Sequence, residues 1–233
     1  MTVGRRLWLA LLIAVFLSAP VRGVLFLRKY VAESFRIPSG AMTPTLIPGE
    51  SVIALKSDSA RAPARGAVRV FRYPADPTKD FVSRVVAVAG DRVRVLPDGS
   101  IERNGAALPR CALGPWPAAT AGEPARDAFM EVDGAQRYVV LQHREREAPT
   151  GDHCVAEACT VPAGHALTVG DNRDDSYDGR YWGFVPTGNF TAAPRWIFRA
   201  APGSGREGAD AQAAPVLPSP LRRAWAECLA RLP

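Results

Sequence analysis

Histidine, methionine and cysteine are scarce in this chain, with three, three and four copies among 233 residues. That leaves little for a metal centre. Cys154 and Cys159 stand five apart rather than in a C-x-x-C spacing, and no histidine cluster accompanies them, so neither metal nor cofactor is expected. Acid is also in short supply, 23 Asp and Glu against 29 Lys and Arg, which would suit a nucleic-acid partner if the basic residues formed one face. They do not. Residues 1–36 hold Arg5, Arg6, Arg22, Arg28, Lys29 and Arg36 against Glu33 alone, so only about +1 of the formal +6 remains for the rest, and no nucleic acid is expected. No internal repeat is present. Twenty-one prolines and 20 glycines are too many for a helical bundle and suit a loop-rich β protein, and a 47% hydrophobic content is enough to bury a core in one or two domains.

What is present begins with a basic-then-apolar amino terminus. Arg5 and Arg6 precede the run Leu7–Ala19, and Val24–Leu27 follows Pro20 and Arg22. Residues 7–27 are long enough to cross ~30 Å of hydrocarbon at ~1.5 Å per residue, although Arg22 and Gly23 weaken the far end. Basic residues ahead of the span predict residues 1–6 in the cytoplasm, one crossing at 7–27 with lipid as a partner, and an exported body. A cleavable signal peptide is the rival reading, but Ser18-Ala19-Pro20 breaks the small-x-small pattern with proline, so an uncleaved anchor is expected. The cysteines agree with export. Cys154 and Cys159 read as a small disulfide loop or as buried thiols, and Cys111 and Cys228 have no obvious partners.

Beyond the anchor, short β-rich runs recur at Ser51–Leu55, Val68–Arg72, Phe81–Val88 and Arg92–Leu96, and again at Arg137–Gln142, His165–Val169 and Arg195–Phe198. Turn signals at Gly90-Asp91, Pro97-Asp98-Gly99 and Asn104-Gly105 punctuate them, which predicts a mostly β fold of coiled sheets or a barrel. Residues 109–127 read as a surface excursion, and 200–219, low in complexity, as a disordered linker. Residues 220–233 read as an amphipathic helix with Leu221, Trp225, Cys228, Leu229 and Leu232 on one side, a possible docking element for a protein partner.

Three segments carry the chemistry. The first, Phe35-Arg36-Ile37-Pro38-Ser39-Gly40-Ala41-Met42-Thr43-Pro44-Thr45-Leu46, follows the anchor directly. The second is Asp80-Phe81-Val82-Ser83-Arg84-Val85-Val86, leading to Gly90-Asp91, and the third runs from Gly170-Asp171-Asn172-Arg173 through Ser176, Asp178, Arg180 and Trp182-Gly183 to Val185-Pro186. Together they resemble the bacterial type I signal peptidases, membrane serine proteases that remove signal peptides, over residues 25–199. The resemblance implies that family's LexA-related coiled β-sheet core at 28–199, with an inserted smaller β region at about 100–160. It also implies a bacterial inner membrane with the body on the periplasmic side, and exported preproteins or peptides with small residues near the cleavage site as partners.

The family uses a serine nucleophile activated by a lysine base. A serine hydroxyl is too weakly acidic to attack an amide unaided, and the lysine must be neutral, which desolvation among apolar side chains achieves. At the serine position this chain has Ala41, and at the lysine position Ser83. Both are lost. An inactivating replacement would explain Ala41 but not Ser83. A displaced mechanism needs another base, and no histidine lies in the three segments: His165 is nearest, with His143 and His153 farther off. The remaining reading is a natural non-catalytic homologue that binds exported peptides in a chaperone, assembly or regulatory role, with a signal peptidase that cleaves preproteins as the alternative.

By the same resemblance, the Ser39 hydroxyl joins the residue-41 N–H in an oxyanion hole, which does not depend on the side chain of Ala41. Phe35, Ile37, Met42, Leu46, Phe81 and Val82 match positions lining shallow pockets for small side chains along an extended peptide. Arg84, Asp171, Ser176, Asp178 and Arg180 match positions that brace the site. Trp182-Gly183 reads as scaffold.

Overall fold

In a computed structural model, the described residues are 18, 20, 22, 23, 30–117, 122–145, 151–155, 157–212 and 215–232. The expected crossing at 7–27 therefore falls almost wholly outside them. Among the described residues, no helix is long and apolar enough to cross a membrane.

The largest sheet places β1 (Ala32–Arg36), β2 (Ser51–Leu55), β14 (Phe190–Arg199), β3 (Val68–Tyr73), β4 (Asp76–Val88), β12 (His165–Val169) and β13 (Val185–Pro186) side by side in that order. Every neighbouring pair is antiparallel. Alternation decides the faces: in Ser-Val-Ile-Ala-Leu of β2, Val52 and Ala54 are buried and their neighbours only partly so. In the long β4 the first half is exposed, while Val85, Val86 and Ala87 have no exposed surface. A four-stranded sheet orders β11 (Cys159–Thr160), β5 (Arg92–Val95), β6 (Ile101–Arg103) and β7 (Ala106–Ala107). Asn104 (φ 54°) and Gly105 (φ 83°) make the two-residue turn between β6 and β7, positive φ being what such a turn requires. A three-stranded sheet, β10 (Gln136–His143), β9 (Arg126–Asp133) and β8 (Arg110–Trp116), completes a mostly β protein.

The carboxy-terminal part departs from its reading in two ways. Residues 200–212 are not a disordered linker. The Gly208 N–H donates to Ile197 O (2.7 Å) and Ala211 N–H to Arg195 O (3.0 Å), so this segment lies along the second half of β14, and Ala211 is fully buried. Arg206 donates to Thr45 O (2.6 Å) and pairs with Glu50 (3.3 Å), both residues buried. Burial pushes the Glu50 carboxyl above its ordinary range, with the Ile47 N–H and Arg206 offsetting only part of that cost. Composition cannot see this, because the segment is held by its backbone and one arginine.

Second, Cys111 and Cys228 do have partners, namely each other, with Cα atoms 5.9 Å apart; Cys154 joins Cys159. The helix Ser219–Arg231 is thereby clamped on β8. Pro220 fits its first turn, where no N–H is needed. Its face of Leu221, Trp225, Cys228 and Leu232, at helical spacing, packs on Leu113, Met130 and Leu141, whereas Leu229 is exposed. The apolar face thus meets the chain's own sheet, which leaves it closed to the partner the sequence suggested.

Buried ion pairs hold the three motif segments together. Val169, the last residue of β12, is registered against Arg84 on β4, which sets Asp171 within reach of the arginine. The Arg84 fork donates to both Asp171 oxygens (2.7 and 2.6 Å), and Arg84 sits 3.7 Å from the Tyr138 ring centroid. Thr45, from the first segment, donates to the same carboxylate, and all three residues are buried. Burial works against the charged guanidinium, but the charge and hydrogen bonds of Asp171 outweigh it and hold Arg84 above its usual pKa. A second fork joins Arg180 to Asp178 (2.8 Å at each oxygen), and Asp178 also accepts from Gly170 N–H (2.9 Å). A third, Arg173 to Glu131, ties the last segment to β9.

Two stability outcomes follow. Removing Cys111 and Cys228 together should lower the unfolding free energy by ~2–4 kcal/mol, since a long loop is opened. Removing Cys154 and Cys159, only five apart, should cost less; urea titrations compare them. Asp171→Asn should cost ~3–5 kcal/mol by leaving Arg84 charged and unpaired in the interior, and Arg84→Met/Asp171→Leu should recover much of that loss in the same titration.

Candidate active site cleft

A cleft of about 310 Å³ lies where the three segments converge, lined by Ile37, Pro38, Ser39, Ala41 and Met42 from the first, Asp80–Ser83 from the second, and Asp175–Asp178 from the third. It continues into a narrower pocket between Phe35, Val52, Val70 and Val82. Nine of the sequence-predicted positions, Ile37, Ser39, Ala41, Met42, Phe81, Val82, Ser83, Ser176 and Asp178, meet there, and Phe35 lines the extension. Leu46 does not. It has no exposed surface and packs beneath, with Val52, Val68 and Ile197, so it supports the floor rather than facing a ligand. Arg84, Asp171 and Arg180 are likewise buried behind the cleft as braces.

The loop that carries Ala41 is fixed by the third segment. Asn172 N–H donates to Ala41 O (3.0 Å), and the Asn172 amide donates to Gly40 O (3.1 Å). Gly170 is glycine for want of space: a Cβ there would lie 2.2 Å from Ser176 Oγ and 2.6 Å from Ala41 O. One wall is aromatic, with Tyr73 stacked on Phe81 (4.7 Å) and Trp182 6.0 Å from Phe71. Trp182 lines the cleft as well as packing behind it, so it is more than scaffold.

The chemistry available is sparse. Ala41 offers a methyl group. The Ser83 hydroxyl is buried and has no hydrogen-bond partner. Among the described residues lining the cleft there is no lysine or histidine. Its acids are Asp80, Asp175 and Asp178. Burial and Glu33 push Asp80 above its ordinary pKa, while Arg72 and Lys56 oppose them.

His143 is what sequence reading missed. Its Nε2 lies 3.1 Å from Asp175 Oδ2, beside Ser176, and Arg126 Nη2 bonds the same oxygen (2.9 Å). Burial raises the Asp175 carboxyl, but Arg126 and His143 more than offset it, and the group sits below its usual range. Nothing local in the sequence signals this. His143 reaches the rim because the β9–β10 hairpin registers it against Arg126. His165 instead turns to its own neighbour, Ala163 O, at 2.9 Å.

Comparison with known proteins bears on this arrangement. A family model described as signal peptidase, peptidase S26, matches residues 5–198. The signal peptidase I of Pseudomonas fluorescens is 38% identical over 174 residues, 68% of this chain and 58% of that protein. That of Aquifex aeolicus is 32% identical over 196 residues, 72% of this chain and 76% of that protein. A solved signal peptidase I from Enterococcus faecalis aligns over 56% of this chain and 95% of that one, at 21% identity and a TM-score of 0.34, too loosely to carry detail. The chain spans 58% of the length of its Pseudomonas relatives. With a family match over most of its length and relatives above 30% identity, this chain belongs to the signal peptidase (peptidase S26) family.

Proposed function

We propose that this chain engages exported preproteins in the cleft, holding the segment around a signal-peptide cleavage position in extended form. What carries the reading is the convergence of the three segments on one apolar, shallow groove. An extended peptide would add along β4 and the Phe35–Met42 segment by main-chain hydrogen bonds, with alternate small side chains turned toward Ile37, Met42 and Val82. Ser39 and the residue-41 N–H would receive the carbonyl beside the cleavage position. The body would sit at the outer surface of a bacterial inner membrane on a single amino-terminal anchor. Trp196 and Phe198, about half exposed on β14, and exposed Val31 just ahead of β1 would supply apolar surface there.

Whether the bound peptide is cut divides two readings. This chain's own residues favour holding without cutting: Ala41 has no nucleophile to offer, and a hydroxyl at 83 has no amine to activate it. The names of the relatives favour cleavage, since those proteins are signal peptidases. On this chain cleavage would need a displaced pair, for which the His143–Asp175 contact beside Ser176 is the specific candidate.

Preprotein cleavage in detergent separates them. In the holding reading the wild-type chain cuts nothing, Ala41→Ser and Ser83→Lys singly stay at background, and Ala41→Ser/Ser83→Lys together restores cleavage, because nucleophile and base act as a unit. Wild-type cleavage that disappears in His143→Ala, Ser176→Ala or Ser83→Ala would establish the displaced mechanism instead.

The groove itself is tested by calorimetry with peptides ending in Ala-x-Ala. Binding should be micromolar or weaker, as a shallow cleft buries little apolar area, and Val82→Arg should abolish it. Equal binding by that variant would remove the cleft from the account.

A further inference from the structure

The loop Ser39–Thr43 has a second neighbour. Ser39, Ala41 and Met42 line the cleft, whereas Gly40 and Thr43 line a separate groove of about 580 Å³. The two are joined by one ion pair: Asp175 lines the cleft, Arg126 lines the groove, and Arg126 Nη2 lies 2.9 Å from Asp175 Oδ2. Most of the groove's remaining wall is apolar and stiff, formed by Ile47, Pro48, Trp116, Pro117 and Pro218.

Its polar residues are nearly spent on one another. Arg126 is covered by Glu123 (3.1 Å) as well as by Asp175, so the charges at this edge are paired. Asn172 is only half engaged. Its amide nitrogen is used on Gly40 O, and its carbonyl oxygen is buried without a donor, in a residue only 4% exposed. A buried acceptor left unpaired is unfavourable, and a ligand N–H that reached it would relieve that cost.

We propose that this groove receives the part of the exported protein that follows the cleavage position, and that it selects an apolar, preferably aromatic, side chain there. The inference rests on the peptide reading of the cleft. A chain held beside Ala41 advances ~3.3 Å per residue, so the next few residues pass from the cleft, over the Arg126–Asp175 bridge, toward Trp116 and Pro48. Rings of proline and indole lose little rotamer freedom on binding, which makes them efficient walls for a flat side chain. A main-chain N–H of the same segment would supply the donor that the Asn172 carbonyl lacks.

Fluorescence anisotropy with three labelled peptides tests it on the full chain in detergent. One ends at Ala-x-Ala, the second extends it by a four-residue segment containing Phe, and the third carries Asp in place of that Phe. The Phe extension should bind about tenfold tighter than the short peptide, equivalent to ~1.4 kcal/mol, and the Asp extension no tighter. Trp116→Ala and Pro48→Arg should each erase the gain while leaving the short peptide unchanged. Pro48 lies exposed at the rim, which keeps the test alive if Trp116→Ala fails to fold. A short peptide that binds with no gain on extension overturns the inference and leaves the cleft intact. No binding by any peptide overturns both. A gain that survives both variants assigns it to another surface, and self-association abolished by Pro48→Arg assigns the groove to a second copy.

Discussion

Everything at the cleft hangs on one carboxylate. Asp171 receives the full Arg84 fork and the Thr45 hydroxyl, in an interior where none of the three has meaningful exposure. Each partner comes from a different motif segment, so a single buried anion brings the loop after β1, the strand β4 and the turn after β12 to one point. Such a pair is poor evidence for net stability, because desolvation consumes most of the attraction, but it is demanding about geometry. Moving any of the three elements by an ångström would strand a charge. The Asn172 contacts to Gly40 and Ala41 then pass that precision to the loop at the cleft.

That arrangement separates the scaffold from the chemistry. Neither Ala41 nor Ser83 takes part in the Arg84, Arg180 or Arg173 pairs, so these two positions can change without disturbing the braces. The reverse does not hold. Losing Asp171 would leave a guanidinium uncompensated whatever stood at 41 and 83. The shape of the cleft therefore does not depend on the side chains at 41 and 83.

Local patterns made much of this legible. β2 was readable residue for residue from its β-rich run Ser51–Leu55, and Asn104-Gly105 announced its turn by the dihedrals that such residues accept. The braces Arg84–Asp171 and Asp178–Arg180 came through resemblance, since no spacing rule pairs residues 87 apart. What stayed hidden depended on partners chosen by the fold. Arg173 and Glu131, Arg206 and Glu50, and Cys111 and Cys228 each look ordinary until two distant elements meet. His143 is the clearest case, an unremarkable residue at a strand end whose placement depends entirely on the β9–β10 register. Composition misled outright at 200–212, where Ala, Gly and Pro suggest disorder but backbone hydrogen bonds to β14 impose order.

Ser83 also has an energetic meaning. A lysine kept neutral in a low-dielectric cleft must shed its charge to stay there, and the folded state bears that cost in return for activity. Serine at position 83 carries no such charge and leaves one buried hydroxyl unsatisfied, a penalty of ~1–3 kcal/mol. Active sites are commonly strained in this sense, and relaxing them stabilises the fold at the expense of function. With alanine at 41 and serine at 83, this chain holds the Arg84–Asp171, Arg180–Asp178 and Arg173–Glu131 pairs behind its cleft. The geometric precision of the cleft lies in the backbone of residues 40 and 41 and in the ion pairs behind them.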